Sequence, residues 1–451
     1  MSWIAQFSNW IWGPALLAAF LLVGLYFSLG TGFFQIFHLP TWWKRTMGTL
    51  VGRKRRTDGA VSQLQALATA LAATIGTGSI AGVATAIFYG GPGAVFWMWI
   101  SALLGMMTGC AEKLLAIRYR ERGPDGNWRG GPMVYMRDGL HMPRLALLFA
   151  LACVGETLVG GNLAQANSIA TALHASFGVD RLVVGIILAL LVSGVLAGGI
   201  RRVGKLSELL VPIMGILFVG SGLLVIFVHG SAIPAALKQI VTHAFAPKAV
   251  IGGYSMGTAI RFGVARGVFT NEAGLGLSAI AHACADVQEP AEQGMWGIFE
   301  VFISTLLICT VTALVVLTSG LYQVDGALHM LNSGLVPEQM LGAPLVASSF
   351  ATVIGAAGEG IVALCLVLFA FTSILGAGCY GRRGVESITN APWVSILYRM
   401  AFPVCLVLGA VGDLSQVWYL VDIFNGLLAV PNLLALVLLS PEVFRCLRRW
   451  L

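Results

Sequence analysis

Eleven long apolar runs divide the chain, at about 9–33, 61–88, 92–117, 145–172, 182–199, 206–229, 249–265, 294–320, 345–378, 391–410 and 417–444. A helix crosses the roughly 30 Å hydrocarbon core with about 20 residues, whereas a membrane barrel needs stretches of about ten residues with alternating polarity. These runs are too long and too uniformly apolar for strands, so they predict an all-α polytopic membrane protein of about eleven transmembrane helices. Composition agrees. Of the 451 residues, 57% are hydrophobic and 10% charged, far from the balance of a soluble domain.

The formal charge of +7 has a distribution that gives the topology. Lys44, Arg45, Arg53, Lys54, Arg55 and Arg56 follow the first run; Arg118, Arg120, Arg122, Arg129, Arg137 and Arg144 follow the third; Arg201, Arg202 and Lys205 follow the fifth. Arg261, Arg266, Arg382, Arg383, Arg445, Arg448 and Arg449 continue the same side, against Arg181, Lys238 and Lys248 on the other. Basic loops stay in the cytoplasm, which places the N-terminus outside and the C-terminus inside. These residues sit in short loops without interleaved aromatics, so the expected partner is the lipid bilayer and not nucleic acid. Residues 1–8 lack a basic start, and no cleavage site follows the first run, so it is read as a membrane helix. The eight cysteines form no Cys-x-x-Cys pair and read as small buried hydrophobes.

The run from Val61 to Phe88 is unusual. Its 28 residues would make roughly 42 Å of helix, and Gly76, Thr77, Gly78, Ser79 and Gly82 sit at its centre. Glycine weakens a helix interior by about 1 kcal/mol relative to alanine, and unwound backbone at membrane depth persists only where protein or a hydrated cavity satisfies it. A helix broken around a polar ligand fits, and close packing through small residues is the alternative. A second run with the same character is Gly252-Gly253-Tyr254-Ser255-Met256-Gly257-Thr258. With the first run set aside, the two interrupted helices fall first and sixth among ten. That is the placement expected of a 5+5 inverted-repeat transporter. The expected organisation is an N-terminal helix and basic segment over 1–60, a first repeat over 61–230 and a second over 231–451, in one membrane domain.

Thr372 and Ser373 are adjacent hydroxyls in an apolar helix. A hard cation takes oxygen ligands, which such a helix supplies only through hydroxyls or released carbonyls. Back-bonding to the preceding turn is the competing use. Gln165 and Asn167 are amides at membrane depth, suited either to a pocket or to helix-to-helix hydrogen bonds. Glu156, Glu300, Glu359 and Asp422 are intramembrane carboxylates without an assigned role, while Glu112 and Glu272 are expected in ion pairs or loop caps, with Glu272 an inner-gate candidate.

The segment Ala265-Arg266-Gly267-Val268-Phe269-Thr270-Asn271-Glu272-Ala273-Gly274-Leu275-Gly276-Leu277-Ser278 resembles the signature of the alanine or glycine:cation symporter family, the sodium:alanine symporters. The resemblance continues through residues 76–87, Gly91-Pro92-Gly93, Gly130-Gly131-Pro132-Met133, 31–35 and 368–376, and covers about 10–440. It implies an amino acid–polyamine–organocation fold with one extra N-terminal helix, in a bacterial-type inner membrane, carrying a small neutral amino acid, alanine or glycine, inward with sodium. The implied substrate site holds the carboxylate at Gly76, Thr77, Gly78 and Ser79 and the ammonium at carbonyls from Gly253 to Gly257, with Tyr254, Met256, Gln165, Ser373 and Ala377 around it. The implied sodium site joins Thr372 and Ser373 to the carbonyls of Ala72, Ile75 and Phe369. Two departures bear on the substrate. Ser79 stands where the family usually has Asn, and Ala377 where it commonly has Trp. The lost indole leaves room for a larger side chain such as glutamine's, or for Tyr380.

A membrane enzyme is disfavoured, since the chain has no His-Glu-x-x-His, no phosphate-binding loop and no Gly-x-Ser-x-Gly elbow. Paired broken helices also suit an occluded solute better than an open channel.

Overall fold

The computed structural model describes residues 3–49, 61–123, 126–246, 255–333, 336–337, 340–389, 391–412 and 417–450. Fourteen helices define the bundle, taken in chain order. They are α1 (Trp3–Gly30), α2 (Gln63–Thr74), α3 (Gly78–Gly90), α4 (Gly93–Arg118), α5 (Pro143–Ala175), α6 (Arg181–Leu196), α7 (Gly199–Val228), α8 (Met256–Asn271), α9 (Leu277–His282), α10 (Pro290–Thr318), α11 (Gly342–Ile354), α12 (Ala356–Ile388), α13 (Pro392–Val411) and α14 (Val417–Leu438). Eight of them are long and apolar enough to span a bilayer, and α2 with α3 makes a ninth span bent by 54°. The outward faces are apolar, as lipid contact requires: Ile216 and Phe227 of α7 are 74% and 84% exposed.

Local chemistry sets the ends. Ser62 caps α2 by accepting from Gln65 N, while the Gln65 side chain accepts from Ser62 N, so two otherwise orphan amides are satisfied. Asp180 likewise accepts from Leu182 N and Val183 N at the start of α6. The segment from Arg118 to Pro143 includes a two-stranded ribbon, Glu121–Arg122 against Trp128–Arg129, and Arg382 and Arg383 end near it on α12. This is the basic end of the bundle.

Three expectations change. The apolar run 345–378 is two helices, because Gly355 has φ +63° and α12 folds back on α11, with Gly358 packed against the Phe350 backbone. Hydropathy does not register a reversal made by one residue. The run 417–444 likewise divides into α14 and a short helix Ser440–Leu447. The third change concerns the second interruption. Gly253 and Tyr254 lie outside the described residues, but Ser255 caps α8 through a reciprocal bond with Thr258, and Met256 and Gly257 begin an unbroken helix. Among the described residues, the interruption that follows lies at the other end of this helix, between α8 and α9. There Glu272 (φ +53°), Gly274 (φ +96°) and Gly276 (φ +78°) all take the left-handed side of backbone space, which no helix continues through.

Candidate functional site: a cavity between two interrupted helices

Both interruptions border one buried cavity. It is lined by Ala73, Thr74, Gly76 and Gly78; by Glu156, Gly160, Gly161 and Gln165 of α5; by Phe269, Glu272, Leu275 and Leu277; by Ser373, Ala377 and Tyr380 of α12; and by Asn425 of α14. Its space for water centres is about 40 Å³, room for roughly three waters. Larger cavities of about 650 and 520 Å³ lie toward the basic end, and neither borders an interruption.

At the first interruption Ile75 leaves helical geometry (φ −83°, ψ 78°) and the chain re-enters a helical turn at Gly78. Gly76 N donates to Thr74 O (3.0 Å) and Ser79 N to Gly76 O (3.2 Å), while the Thr77 and Gly78 amides lead the second half, where the half-helix dipole puts partial positive charge. That is an anion-receiving end. Gly76 is packed so closely that a Cβ on it would come 2.8 Å from Ser373 Oγ and 3.7 Å from the Gln165 amide. Gly78 is equally confined by the Phe269 ring across the cavity.

Beside this interruption, oxygens converge. Ser373 Oγ lies 3.0 Å from Ala72 O, 3.1 Å from Ala73 O and 3.0 Å from Phe369 O, and Thr372 Oγ1 lies 3.0 Å from Phe369 O. Three carbonyls and two hydroxyls from α2 and α12 thus form one cluster of hard donors. Ile75 is buried at the break and, among the described residues, makes no hydrogen bond to either hydroxyl, while Ala73 adds a carbonyl to the cluster that was not singled out in the sequence.

The second interruption is held differently. Glu112 of α4 accepts from Gly274 N (2.8 Å) and from Asn432 Nδ2 (2.7 Å), and Asn432 also donates to Gly274 O (2.9 Å). Tyr135 Oη donates to Asn432 Oδ1. Lys113 Nζ bridges Glu112 and Glu300, 3.3 Å from each, and all three side chains are fully buried. His282 Nε2, at the end of α9, lies 3.1 Å from Glu300 Oε2, while its Nδ1 faces Gln293 Nε2 at 2.5 Å. Gln293 donating to Nδ1 leaves the imidazole proton on Nε2, directed at Glu300. The expected Glu112 ion pair is therefore part of a larger clamp that also holds α9.

Of the residues singled out in the sequence, Gly76, Gly78, Gln165, Ser373 and Ala377 border the cavity. Thr77 and Ser79 are buried beside it, and the Ser79 carbonyl accepts from Thr312 Oγ1 at 2.9 Å. Met256 and Gly257 do not reach it. Sixteen residues separate Met256 from Glu272, roughly 24 Å along a helix, and Met256 is 45% exposed. Asn167 is not in the pocket either; it donates to Gly409 O of α13 and to Gly412 O just past its end. The cavity adds Phe269, Leu275, Leu277, Asn425, Gly160 and Gly161, none of them singled out in the sequence, and brings in Glu156 and Glu272 as lining groups. Among the described residues, Gln165 Oε1, Glu272 Oε2 and Tyr380 Oη are buried there with no hydrogen-bond partner, a costly state that a polar occupant relieves.

A bundle of apolar helices in which two interrupted ones meet at a polar cavity is the architecture of a secondary transporter. The whole chain, residues 1–451, matches the Sodium:alanine symporter family, and the protein belongs to it. It is 39% identical over 447 residues to the sodium/alanine symporter AgcS of Methanococcus maripaludis, covering 98% of this chain and 95% of that one. It is 41% identical to an uncharacterized transporter of Haemophilus influenzae (96% and 92% covered) and 34% identical to the probable sodium/glutamine symporter GlnT of Bacillus subtilis (97% and 88%). In fold it is similar to a manganese transporter of Eremococcus coleocola, with a TM-score of 0.51 at 16% identity over 89% of this chain and 82% of that one.

Proposed function

We propose that this chain imports a small neutral amino acid, alanine or glycine, together with sodium, by alternating access. The observation that carries this reading is the meeting of the two interruptions at a cavity with unsatisfied polar groups, next to the hydroxyl and carbonyl cluster. In this reading the substrate carboxylate lies at the Gly76, Thr77 and Gly78 break, received by the Thr77 and Gly78 amides, since Gly76 N is bonded to Thr74 O. Its ammonium lies toward Glu272 and the end of α8, in place of the Gly253–Gly257 carbonyls expected from the sequence. Sodium is a second cargo, held by the Thr372 and Ser373 hydroxyls with carbonyls of Ala72 and Phe369, the Ile75 carbonyl being within the same break. Residues 61–230 and 231–451 are the two inverted repeats. The basic end faces the cytoplasm of a bacterial-type inner membrane, with the N-terminus outside.

Sodium joins two helices here, and that is the coupling. Ala72 precedes the first interruption and Thr372 and Ser373 sit on α12, so an ion bound between them stabilises the arrangement that the amino acid also needs. A larger neutral substrate such as glutamine is a second reading, favoured by Ala377, where the cavity continues past the interruption toward Tyr380 and Glu156. The test is uptake of labelled alanine, glycine and glutamine into proteoliposomes under an imposed inward sodium gradient. Uptake that rises with the gradient is expected for at least one of them; no sodium stimulation for any would remove the symport reading.

A further inference from the structure

The cavity does not stop at the interruption that would bind the common amino acid group. Gln165 and Ser373 lie beside Gly76. One helical turn nearer the basic end, Gly161 of α5 packs directly on the Ala377 side chain, and beyond them stand Tyr380 and Glu156. If the substrate carboxylate occupies the Thr77 and Gly78 amides, as proposed above, its side chain points along this extension.

The extension ends on a carboxylate. Glu156 is 9% exposed and, among the described residues, makes no hydrogen bond and no ion pair. The cavity lining contains no lysine or arginine. Gly160 and Gly161 interpose no side chain: Glu156 Oε1 is the atom a Cβ on Gly160 would strike first, and Oε2 is 3.9 Å from where a Gly161 Cβ would be. The same stretch, Val159–Ala164, is a π-helical turn, a local distortion that recurs at functional sites. Tyr380 Oη, on the same cavity, is buried without a partner among the described residues. A carboxylate only accepts hydrogen bonds, and one lining a small buried cavity without a protein partner favours an occupant that brings a donor.

Glu272 serves a different part of the occupant. It belongs to the second interruption, where it meets the ammonium common to every amino acid, so it cannot distinguish one side chain from another. Glu156 can.

We propose that Glu156 is a specificity-determining residue: it accepts a hydrogen bond from the substrate's side chain and makes the carrier select small amino acids ending in an O–H or N–H donor, serine and asparagine first, over alanine. This inference rests on the amino acid symport reading and deepens it. A site built around a buried acceptor discriminates against an analogue lacking the donor far more strongly than an apolar pocket discriminates by size. The expected preference for serine over alanine is about tenfold or more in kcat/KM.

The experiment measures sodium-driven uptake of labelled serine, asparagine and alanine by the full chain in proteoliposomes, read as ratios within each preparation. Wild type is expected to favour serine over alanine, and Glu156→Ala to bring the ratio close to one. Glu156→Asp withdraws the carboxylate by one methylene and is expected to shift preference from serine toward the longer asparagine, which keeps the test open should Glu156→Ala not assemble. A serine-to-alanine ratio unchanged in Glu156→Ala, or a serine-to-asparagine ratio unchanged in Glu156→Asp, overturns the assignment. Sodium-driven alanine uptake with no preference for serine removes Glu156's role and leaves symport standing. Absence of sodium-driven uptake for all three removes the symport reading itself.

Discussion

The interruption at Ile75–Thr77 and the one at Glu272–Gly276 border the same cavity, but their backbones are satisfied in different ways. At the first, the chain is bonded within the break itself, Gly76 N to Thr74 O and Ser79 N to Gly76 O, Gln165 Oε1 is unpaired among the described residues, and glycines bring Ser373 and Gln165 close. At the second, the unwound chain is already bonded: Gly274 offers its N–H to Glu112 and its carbonyl to Asn432, and Lys113 ties Glu112 to Glu300. One break is bonded mainly within itself beside unpaired groups of the cavity, and the other is fixed to the scaffold. A transporter needs both, since the site must release its cargo while the surrounding helices keep their register.

The largest expected effect comes from loosening the fixed break. Lys113→Met leaves two buried carboxylates without their shared cation, and breaking a buried pair of this kind costs about 3–5 kcal/mol. The prediction is little monodisperse protein in detergent and a sharply lowered melting temperature; a variant as stable as wild type would mean the clamp is not what holds α9. Gly76→Ala acts on the first break. Its methyl would press on Ser373 Oγ, so uptake should fall about a hundredfold, the size of loss a displacement of about 1 Å produces in a positioned site. Its thermal stability should stay near wild type, and a large loss of stability instead would erase the contrast between the breaks. Asn167→Ala is the smallest. It removes bonds to Gly409 O and Gly412 O outside the cavity, at about 1 kcal/mol of stability, with sodium and substrate dependence of uptake unchanged.

The same contrast explains how far the sequence could be read. The first break was legible because glycines and hydroxyls stood out inside an apolar run, and the Thr372–Ser373 pair stood out for the same reason. The fixed break was hidden. Its glycines lie in a polar, family-typical stretch that reads as a loop after the helix, while the more conspicuous glycines at 252–258 flank a capped helix start, with Gly257 in its first turn. Lys113 gave no signal, because a single lysine near the end of an apolar run resembles the basic loop that follows; only the packing of α4 against α10 turns it inward between two carboxylates. Glu156 was visible as an intramembrane acid, but that Gly160 and Gly161 open it to the cavity depends on a π-helical turn that periodicity does not report. Ala377 was noticed as a missing indole. In the fold, part of that space is taken by Gly161, which packs against its methyl.

A meeting of sodium and substrate between α2, α12 and the first break underlies the proposed coupling. It is tested most directly by measuring, on the purified protein, how alanine binding affinity changes with sodium concentration in wild type and in the Thr372→Ala, Ser373→Ala double variant. Linked binding predicts that sodium tightens alanine binding in wild type by about fivefold or more, and that the double variant loses most of this dependence while still binding alanine weakly. The same sodium dependence in both proteins would contradict it.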